Sequence, residues 1–141
     1  MTTATRTFPS SIAEWSTFGH GCLPQTLGIE VVRVEADEIE MRMHTGKAVR
    51  APNGFLHGGA VAALADTACG YGTIRNLPEG ATGFTTIEFK CNFVGTSTEG
   101  DVTCVARPVH RGRTTHVWDA EVTSALGKVI AVFRCTQMIL R

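Results

Sequence analysis

HGGAVAALADTACGYGTIR, residues 57–75, is the only long stretch of the sequence whose periodicity predicts a helix. At about 100° per residue, Val61, Leu64, Ala68 and Tyr71 share one face, while Gly59, Ala62, Ala63, Gly70 and Thr73 surround Asp66 on the other. The first face is bulky enough to pack against a sheet. The second is small enough for another backbone to approach it closely.

The flanking sequence supplies the sheet. Upstream, 27–34 and 38–44 read as two strands around the polar turn Glu35-Ala36-Asp37, with Ile39, Met41 and Met43 alternating against Glu40, Arg42 and His44. Downstream of Pro78 and Gly80, alternation returns in four stretches, 83–93, 101–107, 114–123 and 128–140, separated by VGTSTEG, a RPVHRGR turn and SALGK. A hairpin, one central helix and a four-stranded meander predict an α+β fold, an antiparallel sheet of about six strands wrapped around one long helix. A single helix cannot cover such a sheet, and the leftover edge and face predict a second copy, hence a dimer or a multiple of it. Ahead of these elements, 1–24 reads as an N-terminal arm, with a short helix at 11–18 (SIAEWSTF) and a loop imposed by Gly19, Gly21 and Pro24.

The 141 residues, 43% of them hydrophobic, suit one domain spanning 1–141. Thirteen basic and thirteen acidic residues cancel, so no overall field draws the protein to nucleic acid or to an anionic membrane, and neither is expected as a partner. Cys22, Cys69, Cys91, Cys104 and Cys135 form an odd set without CxxC spacing and read as reduced thiols of a cytoplasmic protein. Residues 1–10 are Thr-rich, lack a basic start and an apolar stretch, and do not read as a signal peptide. Asp66 and the interspersed Gly and Thr make 58–74 too polar to span a membrane.

APNGFLHGG, residues 51–59, leads into the helix that carries Asp66. A helix beginning at paired glycines exposes unpaired N–H groups under the positive end of its dipole, a setting that suits a developing oxyanion. Asp66 is the only formal charge between Arg50 and Arg75, and its neighbours one turn away on its own face are small. A partly desolvated carboxylate is a stronger base or nucleophile than a hydrated one. The plainer alternative is an Asp on a solvated helix face. Gly58 and Asp66 lie eight residues apart, about 12 Å along the axis at ~1.5 Å per residue. One helix therefore cannot bring both to one carbonyl. If the Gly58 amide polarises it and Asp66 drives the attack, the two come from different copies, on antiparallel helices across a two-fold axis. His57 either donates to substrate or caps the glycine turn. Asn53 either polarises a carbonyl or serves the Asn-Gly turn, which its dipeptide favours.

The run HGGAVAALAD, with its acidic residue nine positions after the His, resembles the signature of hotdog-fold thioesterases of the phenylacetate-pathway and 4-hydroxybenzoyl-CoA types. The likeness continues through GFTTIEFKCNF and GRTTHVWDAEV to AVFRCTQMIL and covers about residues 25–140. The resemblance implies a hotdog fold and hydrolysis of acyl-CoA or aryl-CoA to free acid and CoA, with Asp66 as base or nucleophile and the Gly58 amide polarising the thioester. Relatives often carry Asn or Gln six residues before the His, where this chain has Ala51, with Asn53 two positions on. In relatives a Ser or Thr on the following strand assists, and Thr86 matches that place, Thr85 facing the other way. No cofactor is implied, CoA being part of the substrate. A homodimer is the implied minimal unit, and relatives are commonly homotetramers. For the CoA phosphates the candidates are His110, Arg111, Gly112, Arg113 and Thr114, in the hairpin that begins at Arg107, together with Gly59.

Other chemistries find little in the sequence. The five His residues lack HExxH or Cys/His spacing, so no metal is expected. GxSxG, GxGxxG and Walker sequences are absent, which removes serine-hydrolase and nucleotide-hydrolase readings. Asp119 and Glu121 share a strand face and read as solvated, with Trp118 on the core side. Two rivals keep the same fold. One is an enoyl-CoA hydratase or dehydratase using its His as principal acid/base, the other an acyl-CoA-binding domain without turnover.

Overall fold

The computed structural model describes residues 7–141, and its elements run α1 (Ile12–Thr17), α2 (Leu23–Thr26), β1 (Ile29–Val34), β2 (Ile39–His44), α3 (Gly58–Arg75), β3 (Gly83–Phe93), β4 (Asp101–Arg111), β5 (Thr115–Thr123) and β6 (Val129–Leu140). The strands form one six-stranded sheet in the order β1-β2-β4-β5-β6-β3, with every neighbouring pair antiparallel. Helix α3 packs on one face, as a hotdog fold requires. Its Val61, Leu64, Ala65 and Ala68 are buried with Met41 and Met43 of β2, Cys104 of β4, Trp118 of β5 and Phe133 of β6. Trp118 lies so close to the helix that a Cβ at Gly72 would sit 2.5 Å from its ring, so the glycine sets the helix-to-sheet distance. Among the described residues, no helix is long and apolar enough to cross a membrane.

Several expectations change in detail. The loop expected at Gly19–Pro24 contains the turn of helix α2, because Pro24 sits in its first turn, where a missing N–H costs nothing. Strand β4 does not stop near Arg107 but continues to Arg111, with a register shift between Pro108 and His110. A bulge is where a strand tolerates Pro, and the hairpin turn shrinks to 112–114. Gly70 and Thr73, expected beside Asp66 on the small face, are buried. The Phe84 ring covers Gly70, where a Cβ would stand 2.9 Å from it, and the Thr73 hydroxyl donates to Gln137 Oε1 on β6. Residues 1–6 of the expected arm, with most of the stretch read for a leader, lie outside the described residues.

The five cysteines are free thiols, and Cys69, Cys104 and Cys135 are buried. Burial pushes the Cys69 thiol well up and that of Cys104 up to about 12, so both stay protonated and inert at neutral pH. Asp119 points outward and holds Arg134 through both carboxylate oxygens, at 2.5 and 2.7 Å. Trp118 is fully buried on the opposite side of the strand.

Candidate active site

The turn that leads into α3 is built by backbone pairing. Arg50 and Leu56 form an isolated bridge, Ala51 N–H donates to Phe55 O (2.8 Å), and Gly54 takes a left-handed φ of 88°. Asn53 Oδ1 accepts from the Phe55 N–H at 3.2 Å, so its side chain serves the Asn-Gly turn rather than facing a carbonyl. The Arg50 guanidinium ties this turn to the chain before and after it by donating to Thr45 O and Thr98 O.

His57 is the N-cap of α3, and its Nδ1 accepts from the Gly59 N–H at 2.8 Å. Of the two roles open to His57, the cap is the one the geometry shows. With Nδ1 accepting, the ring proton of the neutral imidazole lies on Nε2. A Cβ at Gly59 would fall 2.9 Å from the His57 ring, so Gly59 makes space for the cap, and its N–H is occupied. Ala60 and Val61 both donate to His57 O, at 3.0 and 3.1 Å. Of the helix's first four amides, only the Gly58 N–H has no acceptor among the described residues. The single free amide at the positive helix end is thus the one the sequence singled out. It opens on a recess of about 480 Å³ lined by Phe55, Leu56, Val61, Phe93, Thr96 and Ile130.

Asp66 lies two turns further along, half-buried. Thr86 on β3 donates its hydroxyl to Asp66 Oδ1 at 3.1 Å, while Thr85 is exposed on the other side of the strand. Burial raises the Asp66 carboxyl above the usual carboxylate range, and the Thr86 bond opposes that shift without cancelling it. The carboxylate faces a cleft of about 310 Å³ whose walls include Phe18, Pro24, Tyr71, Ile74 and Phe84. Gly58 and Asp66 line different cavities, as the helical rise dictates.

A family model described as the thioesterase superfamily matches residues 53–131, the segment holding both features. The chain belongs to the thioesterase superfamily. The 1,4-dihydroxy-2-naphthoyl-CoA hydrolase of Listeria monocytogenes is 32% identical to it over 114 residues, 81% of this chain and 92% of that protein. Among solved structures, a thioesterase from Haemophilus influenzae superposes with a TM-score of 0.86 at 28% identity, covering 97% of this chain and 94% of that one. A variant of the thioesterase PA1618 from Pseudomonas aeruginosa gives a TM-score of 0.89 at 26% identity, over 97% and 99% of the two chains. The hotdog architecture and thioester hydrolysis are thereby shown.

In this thioesterase the basic hairpin is more engaged than its sequence indicates. Arg107 bonds Glu38 at 2.7 Å. Arg111 reaches Asp37 (2.8 Å), Ala36 O (3.1 Å) and Asn76 Oδ1 (3.2 Å), clasping the β1–β2 turn and the end of α3. His110, Arg113 and Thr114 are exposed. Gly112 leaves space for the His110 ring, whose Nε2 would lie 2.5 Å from a Cβ there. The hairpin's outward polar side chains are therefore His110, Arg113 and Thr114, while Arg111 is held by other elements.

Sequence reading did not place Phe18, Phe84 or Phe93 in the site. Phe93 packs over Gly58, where a Cβ would approach its ring to 3.1 Å, and Phe18 and Phe84 wall the cleft of Asp66. They come from an arm helix end and the two ends of β3, and no spacing in the chain links them to Asp66.

Proposed function

We propose that the protein hydrolyses acyl-CoA or aryl-CoA thioesters to the free acid and CoA in a homodimer whose two sites each combine Gly58 of one copy with Asp66 of the other. The observation that carries this reading is the pairing of one free helix-start amide with one half-buried carboxyl on the same helix, too far apart to act together within a chain. The Gly58 N–H polarises the thioester carbonyl and stabilises the oxyanion, and the partner copy's carboxylate attacks the carbon or deprotonates the attacking water. The small, partly exposed face of Ala62, Ala63 and Asp66 gives a partner helix room to approach.

The sheet favours the dimer too. β3 is an edge strand of 11 residues, paired with β6 on one side and with no strand on the other, and Ile87, Phe89 and Phe93 on it remain 50%, 49% and 53% exposed. A long apolar edge of this kind is covered in stable soluble proteins. We place this dimer within a homotetramer, in the cytoplasm, with CoA phosphates at His110, Arg113 and Thr114. CoA is substrate, and the reading needs no further cofactor or metal. The relative named as a 1,4-dihydroxy-2-naphthoyl-CoA hydrolase supports CoA thioesters as the class.

The test is release of free thiol from a panel of aliphatic, phenylacetyl and benzoyl-CoA thioesters, wild type beside Asp66→Asn. Turnover by the wild type and a loss of at least about a hundredfold in the variant are expected. Equal rates for the two proteins on every thioester reject the role of Asp66.

A further inference from the structure

The cleft beside Asp66 has a wall that the thioesterase core does not supply. Helix α3 contributes Asp66, Gly70 and Ile74, one residue per turn along a single stripe, with Tyr71 beside them. From Asp66 to Ile74 that stripe spans about 12 Å at ~1.5 Å per residue. Strand β3 contributes Gly83 and Phe84, and the N-terminal arm adds Phe8, Phe18 and Pro24. Apart from Asp66, every described residue lining it is uncharged. Thr67 and Tyr71 carry the hydroxyls of the helix wall, and that of Thr67 donates internally to Ala63 O at 2.6 Å. No cationic side chain lines it to hold phosphates and Asp66 would repel them, so the part of a thioester that enters is the acyl group.

The arm is fastened in place. Ser11 and Glu14 form a capping box that starts α1. Trp15, 3% exposed, packs on Tyr71 with centroids 5.3 Å apart. Phe18 stands edge-on to both rings, at 5.7 Å from Trp15 and 5.4 Å from Tyr71. A Cβ at Gly19 would meet Tyr71 Oη and Pro24 at 2.9 Å, so the chain after Phe18 is pressed against the helix. Phe18 thus sits level with Tyr71, five residues and about 7.5 Å beyond Asp66 along the helix. A group with its carbonyl at Asp66 meets Phe18 as it extends.

We infer that Phe18 is a specificity-determining residue, the constriction beside Tyr71 that sets how long an acyl group the cleft accepts. This inference rests on the thioesterase reading for its substrate, but its wall is defined by the arm and is testable without turnover. Affinities are measured by calorimetry for S-alkyl-CoA thioethers, from ethyl to tetradecyl, on the full-length wild type, Phe18→Ala and Phe18→Trp. Thiol release from the matching thioesters is recorded in parallel.

The expected result is a length preference that moves in opposite directions. Phe18→Ala shifts the optimum to longer chains, with the long-to-short affinity ratio rising at least about tenfold, and Phe18→Trp shifts it to shorter ones. Parallel profiles in all three proteins overturn the inference, as does a wild type that binds no thioether. If the alanine variant loosens the arm and fails to fold, the tryptophan variant decides alone. A shifted preference without thiol release from any thioester sinks the hydrolase reading and leaves the wall standing. Thiol release with unshifted profiles does the reverse.

Discussion

Asp66 owes its raised pKa first to burial, with the Thr86 hydroxyl pulling the other way. Removing that donor by Thr86→Val leaves only the raising influence, so the acid limb of the kcat/KM profile should move to higher pH. A limb that stays put or moves down would show that Asp66 is not the group titrating there. The same shift bears on stability. A carboxyl raised in the folded state binds its proton more tightly there than in the unfolded chain, so stability is intact below the unfolded value and declines as pH rises through the folded one. Asp66→Asn has no charge to strand, and its Tm advantage over wild type should grow as pH rises from the ordinary carboxylate range through the higher folded value. A constant or shrinking difference across that range argues against a desolvated carboxyl.

Helix α3 combines two demands along one element. Its first turn leaves one amide free, and its last turns press against the sheet through Gly70 and Gly72. The free amide can be deleted without rebuilding the helix, because Gly58 occupies the first helical position, where Pro is tolerated, and His57 has the extended ψ of 128° that a following Pro requires. Gly58→Pro should retain α3, read by circular dichroism, and lower kcat by about a hundred- to a thousandfold. A near-normal kcat would remove the amide from the mechanism. The neighbouring glycine is no substitute, since its N–H is held by the His57 ring.

At the scale of the whole molecule, the separation of Gly58 and Asp66 makes a prediction that no single-chain site shares. Asp66→Asn and Gly58→Pro proteins, each inactive, should recover about a quarter of wild-type activity when unfolded and refolded together in equal amounts. Half of the dimers are then mixed, and one of the two sites in each is intact. Placing both substitutions in one chain and mixing it with wild type should also leave activity below that of wild type alone, since each mixed site has lost one partner. No recovery in the first mixture, with mixed dimers demonstrated by native mass spectrometry, would return both groups to the same copy.

The sequence by itself determined most of the elements and singled out the proposed pair, Gly58 and Asp66. Alternation and helical periodicity are local properties, which is why the six strands, the helix at 58–75 and the inward face of Trp118 follow from residue spacing. Asp66, alone among small residues, and Gly58, opening a glycine-rich helix start, are legible for the same reason. The tertiary structure alone decided which groups are already engaged. Arg111 reads as an anion donor until Asp37, Ala36 and Asn76 are brought to it from other elements. His57 has two open roles until its Nδ1 meets the Gly59 amide. Phe18 and Phe84 become walls of one cleft only because the arm and β3 come together along one stripe of α3. Such partnerships depend on long-range packing, which the chain folds to satisfy but does not display in its spacing.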